Sequence, residues 1–68
     1  MRLRDLREDN DYTQAYVASV LKIKQNTYSQ YETGQRMLPI DALLKLADLY
    51  NTTTDYILER TNNPKPAK

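Results

Sequence analysis

The sequence predicts an all-α fold, a compact bundle of five short helices. Three observations carry that expectation. Apolar residues recur three and four positions apart in one segment after another, and no stretch shows the strict alternation of a half-buried strand. Residues that stop helices are spaced to match: Asn10 and Asp11, the single glycine Gly34, Pro39 and Asn51. Finally, the chain has 68 residues with no cysteine and no histidine, so disulfides and the usual zinc sets are excluded and packing alone must hold one small core.

In order along the chain, Leu3 and Leu6 mark a first helix of about two turns that ends near Asn10, where Asn10 and Asp11 suit a left-handed terminator. Thr13 is an N-cap for a second helix, whose stripe of Val17, Val20 and Leu21 has Ala18 beside it and which stops near Lys22. A third helix starts at Gln25 and stops at Gly34, because glycine takes the left-handed conformation with no Cβ clash. Pro39 opens a fourth with Ile40, Leu43, Leu44 and Ala47 at i, i+3, i+4 and i+7 as its core stripe; Asn51 ends it. Thr53 caps a short fifth helix carrying Tyr56, Ile57 and Leu58. These helices form one domain over residues 1–61; "TNNPKPAK" has two prolines, two lysines and no strong apolar anchor, so residues 62–68 read as a flexible tail.

The third helix raises the functional question. In "QNTYSQYETG", residues 25 to 34, Tyr28 and Tyr31 share one face, while Gln25, Asn26, Ser29, Gln30 and Thr33 share the opposite one. Glutamine and asparagine amides carry donor and acceptor side by side, which suits the edge of an adenine, but they are equally ordinary on a solvated face. Charge distribution adds a second hint. Net charge is only +1, yet residues 12 to 40 hold Lys22, Lys24 and Arg36 against one acid, Glu32, whereas residues 1 to 11 and 41 to 61 are acidic.

About three residues separate the second and third helices, so they must cross steeply, and Ala18 is small enough to let them touch. Val17, Leu21, Ile23, Tyr28 and Tyr31 can supply the shared core. Here "TQAYVASVLKIKQNTYSQYETG" resembles the helix-turn-helix of the phage repressor and Cro family. That family has Thr-Gln opening the second helix, alanine four residues after the glutamine, apolar residues where Tyr28 and Tyr31 stand, and Tyr-Glu-x-Gly closing the recognition helix. The resemblance extends through "LRDLRED" and "LLKLADLYNTTTDYIL", nearly residues 2 to 60. Two positions depart from it. Lys22 stands where the family has glycine in the turn, and a non-glycine residue held left-handed costs about 1 kcal/mol, which predicts a distorted turn. Lys24 replaces a serine or threonine N-cap; lysine cannot cap, and it sits at the positive end of the helix dipole unless a phosphate lies nearby.

The resemblance implies that Gln25, Asn26, Ser29 and Gln30 meet base edges in the major groove of double-stranded DNA, with Thr27 and Thr33 nearby, while Gln14, Lys24, Gln35 and Arg36 hold phosphates. It also implies that Glu32 pairs with Arg7 as a structural ion pair. Tyr28 and Tyr31, opposite the amides, read as core rather than as stacking platforms.

No enzyme is expected. There is no thiol nucleophile, no cofactor site, and no small-molecule ligand is evident; Asp41, Asp48, Asp55 and Glu59 look like a metal cluster but lie on helix starts and faces, which reads as a solvated acidic surface. No apolar run reaches the roughly 20 residues of a membrane span, and "MRLRDLRED" lacks a secretory signal's apolar core, so a cytoplasmic protein with no effector domain is expected. Two function classes follow. One is a sequence-specific transcriptional regulator, a repressor or Cro-like switch, acting as a homodimer on a pseudo-palindromic operator. The other is a protein-interaction module, such as an antitoxin or docking partner, on the same fold. For the dimer, the resemblance points to the helix 4 to helix 5 region with Thr52 and Thr54, and Leu46, Leu49, Tyr50 and Leu58 look more numerous than one small core needs, so some should be exposed.

Overall fold

Five helices follow one another in the computed structural model, which describes residues 1–64: α1 (Leu3–Asp9), α2 (Gln14–Leu21), α3 (Gln25–Thr33), α4 (Ile40–Leu49) and α5 (Thr54–Ile57). There is no strand among the described residues. Local chemistry sets most of the boundaries. The hydroxyls of Thr13 and Thr53 accept from the backbone N–H of Tyr16 and Tyr56, satisfying donors that the first turns of α2 and α5 leave open. At the end of α1 the two expected terminators divide the work: Asn10 donates through its side chain to the Leu6 carbonyl, and Asp11 takes the left-handed backbone at φ 57°.

The turn between α2 and α3 is regular, contrary to the distortion that Lys22 predicts. Lys22 sits at φ 58°, ψ 42°, close to the centre of the left-handed region, and the N–H groups of Lys22 and Ile23 return to the Ser19 and Ala18 carbonyls. The lysine therefore accepts the conformational cost instead of deforming the turn, and its side chain is exposed. Gly34, at φ 82°, ends α3; a Cβ there would meet nothing within 4 Å, so the backbone conformation alone calls for glycine.

Leu3 and Leu6 of α1, Val17, Ala18 and Leu21 of α2, Tyr28 and Tyr31 of α3, Leu38 of the connection to α4, Leu46 and Ala47 of α4, and Ile57 of α5 form the core. The α2 and α3 helices pack directly on each other, as do α4 and α5. The stripe expected on α4 is corrected. Ile40 and Leu44 are 72% and 52% exposed, whereas Leu46 is fully buried and Ala47 nearly so, with Leu43 and Tyr50 packed against the core. Two overlapping apolar arcs run along this helix, 40/43/44/47 and 43/46/47/50, and helical period alone cannot rank them. The same finding removes Leu46 from the candidate dimer surface.

One fastening was not foreseen. Arg2 donates from its backbone N–H to the Ile57 carbonyl and from Nε to the Tyr56 carbonyl, and its guanidinium lies 4.4 Å from the centre of the Tyr56 ring. The same guanidinium reaches the Thr61 carbonyl and Asn62 Oδ1, and the Thr52 hydroxyl donates to the Pro64 carbonyl. These bonds hold the near part of the segment read as a tail against Arg2 at the start of the chain and against Thr52 between α4 and α5; residues 65–68 of that segment lie outside the described residues.

Candidate nucleic-acid interface

The α3 helix divides sharply into two faces. Tyr28 and Tyr31 are 0% and 7% exposed, while Gln25, Asn26 and Thr33 are exposed and Thr27, Ser29 and Gln30 are half-buried at the margins. Burying two tyrosine rings against Val17, Ala18 and Leu21 fixes the rotation of α3 about its axis, and the amide face is turned outward as a consequence. Lys24 is the N-cap residue and makes no side-chain capping bond, so the first N–H groups of α3 and a lysine ammonium stand together at its exposed start.

Beneath this face lies a partly buried ion pair. Arg7 Nε donates to Glu32 Oε2 at 2.6 Å and a terminal nitrogen donates to Oε1 at 3.3 Å, a two-point contact between side chains only 14% and 4% exposed. The remaining terminal nitrogen of Arg7 donates to the Tyr12 carbonyl at 3.0 Å, and Gln14 Nε2 donates to Glu32 Oε1 at 3.2 Å. A residue on each of α1 and α2 therefore holds one carboxylate of α3. Burial by itself would push the Glu32 carboxyl up, but the hydrogen bonds from Arg7 and Gln14, the nearby Tyr28 hydroxyl and the Arg7 charge together hold it below the usual carboxylate range. The Tyr28 and Tyr50 hydroxyls are buried close to this cluster without a partner in hydrogen-bonding geometry. Desolvation chiefly, with the Glu32 charge, drives both upward, Tyr50 to about 12.

The residues expected at a DNA contact are placed unevenly. Gln25, Asn26, Lys24 and Thr27 gather at the start of α3, and Ser29, Gln30 and Thr33 continue one side of the same helix. Gln35 and Arg36 follow Gly34 in an exposed return of the chain. Gln14, expected at a phosphate, has its amide nitrogen engaged by Glu32. Arg36 bends back on α3: its backbone N–H donates to the Gln30 carbonyl at 3.2 Å, and its Nε donates to the Gln30 Oε1 at 3.1 Å. Neither this link nor the Gln14 bond is legible in residue spacing, since each crosses a turn. With Glu32 neutralised by Arg7, Lys22, Lys24 and Arg36 make no ion pair among the described residues, so the surface around α3 is positive. Among the described residues no group of His, Cys, Asp or Glu could hold a metal ion, and no helix is long and apolar enough to cross a membrane.

Two helices packed on each other and joined by a tight turn, with an outward amide face on the second, define a helix-turn-helix. A helix-turn-helix family model matches residues 3–57, and the chain belongs to that family, in the phage repressor and Cro group that residues 13–34 resemble. Among its relatives, the HTH-type transcriptional regulator AnsR of Bacillus subtilis is 39% identical over 66 residues, 97% of this chain and 57% of the relative. ImmR of the same organism, also an HTH-type transcriptional regulator, is 46% identical over 57 residues, 84% of this chain and 45% of the relative. The cryptic phage CTXphi transcriptional repressor RstR of Vibrio cholerae is 37% identical over 49 residues, covering 72% and 44%. The chain thus spans about half the length of these curated relatives. No solved structure matches it significantly.

Proposed function

We propose that the protein is a sequence-specific regulator of transcription that binds double-stranded DNA in the cytoplasm, with α3 as its recognition helix. The observation that carries this reading is the division of α3: its tyrosine face is sealed in the core, and its exposed face presents Gln25, Asn26, Ser29 and Gln30 between Lys24 and Arg36. Amides on that face can read adenine N6 and N7 in the major groove, and the flanking cations can seat on phosphates without reading sequence. The names of the relatives support the same class. The working unit is a homodimer acting as a repressor or Cro-like switch on a pseudo-palindrome, since one nine-residue helix contacts few base pairs. Its contact draws on the α4 to α5 region, where Leu58 is exposed and Leu49, Tyr50 and Thr54 are half-buried.

A second reading rests on a separate observation. Met37, just before α4, is 89% exposed, and Ile40 and Leu44 of α4 are exposed as well, apolar surface that suits a protein partner. Selection of bound duplexes from a random-sequence pool distinguishes the two. An enriched two-fold symmetric motif is expected, and the absence of any enriched motif would leave the partner-protein reading in its place.

A further inference from the structure

Arg36 faces Gln30 across the turn made by Gly34, and the chemistry of the pair dictates how the amide is held. A guanidinium has donors only, so the bond from Arg36 Nε at 3.1 Å can be made only to an oxygen, which assigns Oε1 of Gln30 to the arginine side and Nε2 to the free side. The backbone bond from Arg36 to the Gln30 carbonyl ties the two residues a second time, and the Thr33 hydroxyl donates to the same carbonyl at 3.2 Å. The terminal nitrogens of Arg36 make no hydrogen bond among the described residues, and its side chain is exposed.

We infer that Arg36 is a specificity-determining positioning residue: it holds the Gln30 amide in one of its two flip states through Nε while its terminal nitrogens reach a DNA phosphate. The inference rests on the DNA-binding reading above. An unrestrained glutamine amide turns over at little cost and must surrender that freedom on meeting a base. A restrained one meets it already oriented, and its Oε1 keeps a second lone pair while Nε2 keeps both protons, so the amide can still pair with a base edge on both sides. Phosphate contact and base readout are thereby joined through one side chain. A seat displaced from the phosphate pulls the arginine from the amide, and the register of the protein on the backbone controls whether Gln30 can read.

The experiment uses the full chain and a duplex carrying the motif that the wild-type protein selects from a random pool, together with every single base-pair variant of that duplex and one random duplex. Binding constants are measured for wild type, Gln30→Ala, Arg36→Ala, Arg36→Lys and the Gln30→Ala/Arg36→Ala double variant, with a melting curve for each. Gln30→Ala should flatten the preference at one position in each half-site. Arg36→Ala should flatten the same position by about 3- to 10-fold, the range expected for one hydrogen bond, and the double variant should flatten it no further than Gln30→Ala alone. Arg36→Lys should recover affinity for the random duplex but not the preference, because a single ammonium lacks the fork that serves both partners. Melting should be unchanged, the bond between the two side chains being exposed. Equal weakening by Arg36→Ala on every duplex would overturn the inference and leave Arg36 a plain phosphate contact. Loss of fold stability in step with loss of preference would overturn it too, in favour of a structural role. Failure of the wild-type protein to select any motif would overturn the DNA-binding reading and this inference with it.

Discussion

Side chains on the amide face of α3 and at its ends differ in what their removal should cost. Gln25 carries no charge and is exposed at the start of the helix, so Gln25→Ala should lose about 1–3 kcal/mol on the selected duplex and little on random DNA. Equal losses on both would mean that Gln25 does not read a base. Lys24 is different in kind: it makes no capping bond and no ion pair among the described residues, so its ammonium is available to a phosphate. Replacing it with alanine should weaken binding on every sequence and reduce the magnitude of the log–log salt slope by about 1. A titration with salt on a random duplex decides this, and an unchanged slope would remove Lys24 from the backbone contact.

At the scale of the helices, α3 is held to α1 and α2 by the Glu32 cluster, and the sign of its electrostatics makes a prediction. Glu32 has a carboxyl held below its ordinary value, so the stability it contributes is present above the ordinary carboxylate range and is lost as pH falls through the lower, folded value. Acid melting curves of Glu32→Gln should therefore show a smaller fall in stability over that window than wild type. Glu32→Ala leaves the largely buried Arg7 guanidinium without its carboxylate and should cost about 3 kcal/mol in denaturant unfolding, with the side chains of the amide face untouched. Unchanged stability with lost DNA binding would make Glu32 a contact residue instead. The turn that joins α2 to α3 offers the opposite test. Because Lys22 holds φ 58°, Lys22→Gly should stabilise the fold by about 0.5 kcal/mol, the relief of left-handed strain exceeding the added freedom of the unfolded chain. A destabilised glycine variant would show that the Lys22 side chain contributes something its exposure does not suggest.

For the molecule as a whole, the distribution of exposed apolar residues decides how two copies could meet. Leu46 is fully buried and serves the core, whereas Leu58 lies exposed just beyond α5 and Ile40 and Leu44 lie exposed on α4. The proposed dimer would set its recognition helices about one DNA turn apart, roughly 34 Å, and predicts that sedimentation at saturating protein gives two chains per specific duplex. Leu58→Asp should reduce that stoichiometry and Ile40→Asp should not; the reverse result would move the contact to the start of α4. Were the proposed interface small, the dimer would be weak in solution, and adjacent half-sites on DNA would raise the effective concentration of each partner. A one-to-one complex with a footprint of half the expected length would exclude the dimer.

The sequence by itself determined the elements and the chemical character of α3. Thr13 and Thr53 announce helix starts, Gly34 and Asn51 announce ends, and the three-residue step between Tyr28 and Tyr31 separates a core face from an amide face, because these signals act within one or two turns of chain. The motif of residues 13–34 likewise carried the family. The tertiary structure decided what depends on rotation and on contacts across turns. It chose which of two apolar arcs of α4 faces inward, since both satisfy the same period and only packing against the other helices ranks them. It also set Gln14 on Glu32, Arg2 on Tyr56 and Arg36 on Gln30. Long polar side chains have several partners within reach of any given backbone, and the choice among them is made by where the fold brings those partners, which residue spacing does not encode.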